Sequence, residues 1–145
     1  KFQSFLQYLL QLQVYCIHRM VHLHQFLYQY GPKSQHLSLN AKVHCGHDKL
    51  EMEVASAFGS DMMSDVLAFV KDQAVLLTGL CNPQVIRTAM MMDMRCVVFV
   101  RSKCPTEEMI RLAKESDLVV MKTKKRMYEA CGKLYVGGLG VSAVK

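Results

Sequence analysis

The chain reads as an α/β domain, a mostly parallel sheet with helices on both faces, and three observations carry that reading. Cys96-Val97-Val98-Phe99-Val100 is apolar at every position, as a strand covered on both faces must be. Val75-Leu76-Leu77 is a second such run, and between the two lies a helical spacing of Val85, Ile86, Ala89 and Met90. Strand and helix patterns then alternate to the end of the chain, the signature of crossover units in a wound sheet.

Taken in order, residues 1–40 form an N-terminal extension whose period stays open. Phe2, Phe5, Leu6, Leu9 and Leu12 fit a helical stripe, while Leu10, Leu12, Val14 and Cys16 fit a strand alternation equally well. Gly31-Pro32 is a break, and the segment is helical or not native to the domain that follows. The domain itself is assigned to 41–145. Lys42-Val43-His44-Cys45 is a short strand ended by Gly46, and Glu51-Met52-Glu53-Val54-Ala55 alternates as a second. Gly59-Ser60-Asp61 is a turn before a helix over Met62 to Val70.

The central unit follows, with Thr78-Gly79 closing its first strand and Asn82-Pro83 opening its helix, Asn as cap and Pro at the first helical position. Thr106 caps the next helix, with Glu107 and Glu108 in its first turn and Met109, Leu112 and Ala113 inward. Leu118 to Met121 is another buried strand, and Lys125 to Tyr135 a last helix with Met127, Cys131 and Leu134 inward. Gly137-Gly138 stops it. This alternation predicts a doubly wound sheet.

Composition bounds the setting. At 145 residues and 51% hydrophobic, the chain is long enough for one core. The net charge of +6 is uneven, because no acidic residue precedes Asp48 and all six His lie at or before position 47. The six Cys show no CxxC pair, and with no signal peptide this reads as a reducing, cytoplasmic setting. No stretch reaches the ~18 apolar residues of a membrane span.

In wound sheets, ligands bind at the carboxyl ends of the strands. Those ends carry Ser60 and Asp61, then Thr78, Gly79 and Asn82, then Ser102 and Lys103, and finally Lys122, Thr123 and Lys124. A hydroxyl-rich rim facing helix starts suits an anion such as a phosphate. Lys122-Thr123-Lys124-Lys125-Arg126 strengthens this, since cations at a helix start oppose the helix dipole unless an anion is present. There is no GxGxxG and no GxxxxGK[ST], and no His follows position 47 to build a Ser-His-Asp triad. His18, His22, His24, His44, Cys45 and His47 match no established metal spacing, so no metal or other cofactor is implied. The Met90-Met91-Met92 and Met94 cluster suits adaptable packing, and the scarcity of aromatics beside the basic residues argues against nucleic acid.

From about Ala41 to Gly140 the chain resembles the DRTGG-domain family. The likeness rests on AKVHCGHDKL, AFGSDMMSDVLAFV, LLTGLCNPQVIRTA, CVVFVRSKCPTEEMIRLAKESD and MYEACGKLY, in the family's order and spacing. The resemblance implies an α/β domain similar to the N-terminal domain of HPr kinase/phosphorylase. It also implies a sensing module of the kind found alone or beside CBS domains, phosphotransacetylases and cobyrinate-synthase-like ATPases. Some stand-alone relatives are encoded near iron-hydrogenase genes. The family supplies no catalytic residues, and its Asp-Arg-Thr-Gly-Gly signature is absent here. The corresponding strand end reads Thr78-Gly79-Leu80-Cys81-Asn82.

The expected function is therefore a non-catalytic regulatory domain. It would bind a small anionic metabolite or nucleotide through Ser60, Asp61, Thr78, Gly79, Asn82, Ser102 and Thr123. The alternative is a protein-interaction module, using the Met-rich helix to form a homodimer or to dock on a partner enzyme.

Overall fold

Four parallel strands laid side by side in chain order make the core of the sheet. The computed structural model describes residues 39–70 and 73–139. Its strands are β1 (Lys42–Cys45), β2 (Ser56–Gly59), β3 (Ala74–Thr78), β4 (Cys96–Phe99) and β5 (Val119–Lys122). They stand in the order β1-β5-β4-β3-β2. β2 to β5 are parallel, and β1 closes the far edge antiparallel to β5. The helices are α1 (Met63–Phe69), α2 (Pro83–Met91), α3 (Glu107–Glu115) and α4 (Met127–Val136).

Alternation along each strand splits the core in two. Leu76, Val97, Phe99 and Val120 pack under α1, α2 and α3 through Val66, Val85, Ile86, Ala89, Met109 and Ala113. Val75, Leu77, Val98, Val119 and Met121 face the other way, onto Ala130 and Leu134 of α4. Helices thus cover both faces, three against one. The winding runs in one direction, so the doubly wound order does not occur: β2 to β5 succeed each other without reversal, and their three crossover helices share one face. β3 and β4 are buried at every position, and each of their Val, Leu and Phe side chains contributes roughly 1.5–3 kcal/mol of apolar burial.

Two local devices set the edges. Gly46 follows β1 at φ 80, and a Cβ there would press on Val119 of β5; a glycine lets the chain turn away at that contact. The register of β1 slips at His44, where Val43 pairs with Met121 but Cys45 with Val120. Such a bulge twists an edge strand.

Several expectations shift. The second strand is Ser56–Gly59 and not Glu51–Ala55, because pairing with β3 begins at Ser56 and Ala74, just after Ala55 N–H reaches Gln73 O at 3.2 Å. The alternation of 51–55 reflects one buried side chain, Val54, on the approach to the sheet. Met90 is 42% exposed, and the third inward residue of α2's last turns is Thr88, which is fully buried. Thr106 does cap α3, accepting from Met109 N at 3.3 Å. The readings of residues 2–30 lie outside the described residues. No helix among the described residues is long and apolar enough to cross a membrane.

Candidate functional site

Because β2 to β5 are parallel, their carboxyl ends share one edge of the sheet. Because β1 is antiparallel, its first residue arrives at that same edge, where Lys42 pairs with Lys122. The edge therefore holds every residue singled out at the strand ends, together with Lys42, which the linear sequence keeps eighty positions away.

At the β2–β4 end, charges meet and cancel. Asp61 Oδ1 accepts from Gly79 N–H at 2.5 Å and from the Thr78 hydroxyl at 3.2 Å, while Oδ2 pairs with Arg101 Nη2 at 3.1 Å. Burial opposes ionisation of this carboxyl, but the Gly79 N–H, the Thr78 hydroxyl and the Arg101 guanidinium outweigh it and hold its pKa below the usual carboxylate range. Gly79 is required by close approach: a Cβ there would collide with the Arg101 guanidinium. Arg101 and Ser102 both have positive φ, 57 and 59, in a turn closed by Lys103 N–H to Val100 O at 3.2 Å. Two successive non-glycine residues in the left-handed region are costly and persist only where the surroundings hold them. Arg101 N–H to Lys125 O at 2.8 Å and Ser102 N–H to Thr123 O at 2.9 Å do so here.

The hydroxyls of this rim are turn formers. Ser60 Oγ accepts from Met62 N at 3.0 Å, Thr78 Oγ1 from Leu80 N at 3.1 Å, and Thr123 Oγ1 from Lys125 N at 3.2 Å. Each is a residue-to-second-neighbour turn at a strand end. Thr123 also donates to Leu39 O at 2.8 Å, tying the entry to β1 against the exit of β5. These hydroxyls shape the edge by bonding the chain itself.

At the β5–β1 end, charges are of one sign. A cavity of about 440 Å³ is lined by Asn40, Lys42, Ser102, Lys122, Thr123, Lys124 and Lys125, along with Leu39. Among the described residues no carboxylate lines it. Lys125 Nζ turns to Glu129 on α4 at 2.7 Å, whereas among the described residues Lys122 Nζ meets only a sulfur, Cys104 Sγ, at 2.9 Å. The positive field is felt by His44: burial first, then Lys122, Lys42 and His47, push its pKa down. Lysine ammonium groups around such a hollow can hold a multiply charged phosphate.

Of the residues expected at the site, Asp61, Thr78 and Gly79 are brought into direct contact, and Ser102 and Thr123 line the cavity. Ser60 sits at the same edge, engaged with its own turn. Asn82 stands at the N-cap of α2 but makes no side-chain capping bond, and its buried Oδ1 has no partner among the described residues. Arg101, Lys42 and Asn40 were not among the expected residues. Arg101 was legible as the first charge after an all-apolar strand; Lys42 and Asn40 reach the site only through the antiparallel pairing of β1. No group of three or more metal-ligating side chains occurs among the described residues.

A search of solved structures finds similarity to the CBS and DRTGG domains of the regulatory region of Clostridium perfringens pyrophosphatase, crystallised with its activator, diadenosine tetraphosphate. The TM-score is 0.63 at 16% identity, over 84% of this chain and 52% of that one, so this chain spans about half its length. No curated protein matches the chain. The DRTGG domain model matches residues 37–135. Asp61 from the end of β2 and Arg101 from the end of β4 meet at the Thr78-Gly79 strand end. Matched by the family model over most of its length, the chain belongs to the DRTGG-domain family.

Proposed function

We propose that this domain is a regulatory module that binds a small anionic ligand of the nucleotide class in the lysine-lined cavity at the β5–β1 end of the strand edge. The observation that carries the reading is the composition of that cavity: Lys42, Lys122, Lys124 and Lys125 converge with no carboxylate among its lining. In this reading Ser102 offers the ligand its exposed hydroxyl. Thr123 and the Asp61-Thr78-Gly79-Arg101 cluster hold the walls, and no residue is assigned a catalytic role. The ligand of the related pyrophosphatase region, a polyphosphate bridging two adenosines, has the charge density that such a cavity suits.

Binding is read by thermal stability of the full chain with ATP, diadenosine tetraphosphate and inorganic tripolyphosphate. A ligand at a hundredfold excess over its Kd stabilises the folded state by about 2.7 kcal/mol. The expected result is an upward shift in Tm that high salt abolishes. Equal melting points with all three probes at low salt would defeat the reading.

A second reading, homodimer or docking on a partner enzyme, is favoured by exposed apolar side chains on one face. Phe69 is 65% exposed, Met62 61% and Met91 75%, and all three lie on or beside α1 and α2. Sedimentation of the full chain across concentrations tests it; a monomer at every concentration removes the homodimer.

A further inference from the structure

The β3–α2 and β4–α3 loops bring two cysteines together at the rim of the lysine cavity. Cys81 Sγ donates to the backbone carbonyl of Cys104 at 3.0 Å. Cys104 Sγ lies 2.9 Å from Lys122 Nζ and 3.7 Å from Ser102 O. Among the described residues the Lys122 ammonium has no carboxylate within ion-pair reach, and Lys42 opposite repels it. An ammonium so placed stabilises the negative charge that a sulfur must carry to attack an electrophile.

The other described cysteines differ. Cys45 and Cys96 are buried in the sheet, where burial pushes their thiols up in pKa. Cys131, on α4 itself, is half-covered and raised likewise. Cys104 alone of the five is exposed, and it alone faces a cation at hydrogen-bond distance. Cys81 is partly covered, and burial, then the nearby Cys104, raise its pKa.

We propose that Cys104 and Cys81 form an oxidisable thiol pair, with Cys104 the residue attacked first by a hydroperoxide, Cys81 the resolving thiol and Lys122 the positioning cation. The Cys104 thiolate attacks the terminal oxygen of the hydroperoxide and the O–O bond breaks. The leaving oxygen departs as an alcohol or water after taking a proton. The sulfur is oxidised by two electrons to a sulfenic acid, and the peroxide is reduced by two. Cys81 then attacks that sulfur, its proton leaves with the hydroxyl as water, and the S–S bond forms. Both sulfurs stand on loops and not on strands. Closure also takes the partner of Lys122 away at the mouth of the cavity, which ties the oxidation state of the pair to the charge inside it.

The test is oxidation of the full chain by hydrogen peroxide, followed by non-reducing peptide mapping and by trapping with dimedone. The native chain is expected to yield a peptide pair linked through Cys81 and Cys104. Cys81→Ser is expected to give a dimedone adduct on Cys104 instead. Lys122→Gln should slow oxidation of Cys104 by about tenfold, with the rate restored by Lys122→Arg. The pair is overturned by oxidation falling first on another cysteine, by only intermolecular disulfides forming, or by an unchanged rate in Lys122→Gln.

Discussion

The two ends of one sheet edge solve the same electrostatic problem in opposite ways. At the β2–β4 end the Arg101 guanidinium, the Gly79 N–H and the Thr78 hydroxyl all converge on a single carboxylate, so the local charge is satisfied within the fold. At the β5–β1 end Lys42 and Lys122 stand in register across an antiparallel pair, with Lys124 and Lys125 at the strand exit and no carboxylate in the lining. Paired charge at the first end makes structure. Charge of one sign massed at the second leaves a place for an outside anion, because like charges held together are relieved by binding one.

The contrast breaks apart under substitution, and the largest effect belongs to the lysine end. The double variant Lys122→Ala, Lys124→Ala is expected to weaken tripolyphosphate binding about a hundredfold, since each charge-assisted contact is worth roughly 1.5–3 kcal/mol and 1.4 kcal/mol is a factor of ten. Its urea midpoint should stay at or above that of the native chain, because the change relieves repulsion. Asp61→Ala should do the reverse. It leaves the Gly79 N–H and Arg101 without their partner and is expected to cost about 1–2 kcal/mol in urea unfolding, the lower part of the usual range because the pair is half exposed. Tripolyphosphate affinity should change little. Were Asp61→Ala instead to change affinity more than the lysine variant, the two ends would have exchanged roles.

Smaller effects sharpen the same division. Gly79→Ala puts a methyl group where the Arg101 guanidinium lies. The flexible arginine swings out and the ion pair is lost, for about 1 kcal/mol by urea unfolding, as expected for a half-exposed pair. The pH dependence is smaller still. The Asp61 pKa is lower in the folded chain than the ordinary ~3.9, so its stabilisation is fully present above that value. It is lost as the pH falls through the lower folded value. The stability difference between the native chain and Asp61→Asn, followed by urea unfolding from neutral pH downward, should therefore hold steady and then shrink only below about pH 4. A difference that shrinks above pH 5 would place the effect on another group.

How far the sequence foretold this edge depends on the range of the information. The all-apolar run Cys96 to Val100 announced a central strand correctly, because burial on both faces leaves no room for a polar residue. Thr106 announced its helix correctly for an equally local reason. Glu51 to Ala55 misled, since a single buried valine can mimic alternation, and only the pairing with β3 decides where β2 begins. At the site, the strand-end positions of Asp61, Thr78, Gly79, Ser102 and Thr123 followed from counting elements. That Thr78 and Thr123 would bond the next turn was not readable, because a hydroxyl's partner depends on the turn it enters. Lys42 was out of reach altogether. It joins Lys122 through an antiparallel pairing that no local pattern encodes, and the three-against-one layering likewise follows from strand order alone.

The measurement that bears most directly on the central claim is a backbone amide chemical-shift map of the full chain titrated with tripolyphosphate. The largest changes should fall on Ser102, Thr123, Lys124, Lys125 and Lys42, with Gly79 and Leu80 nearly still. Largest changes at Gly79, Leu80 and Asp61 would contradict it, placing the anion at the satisfied end, and so would a titration that moves no amide at either end.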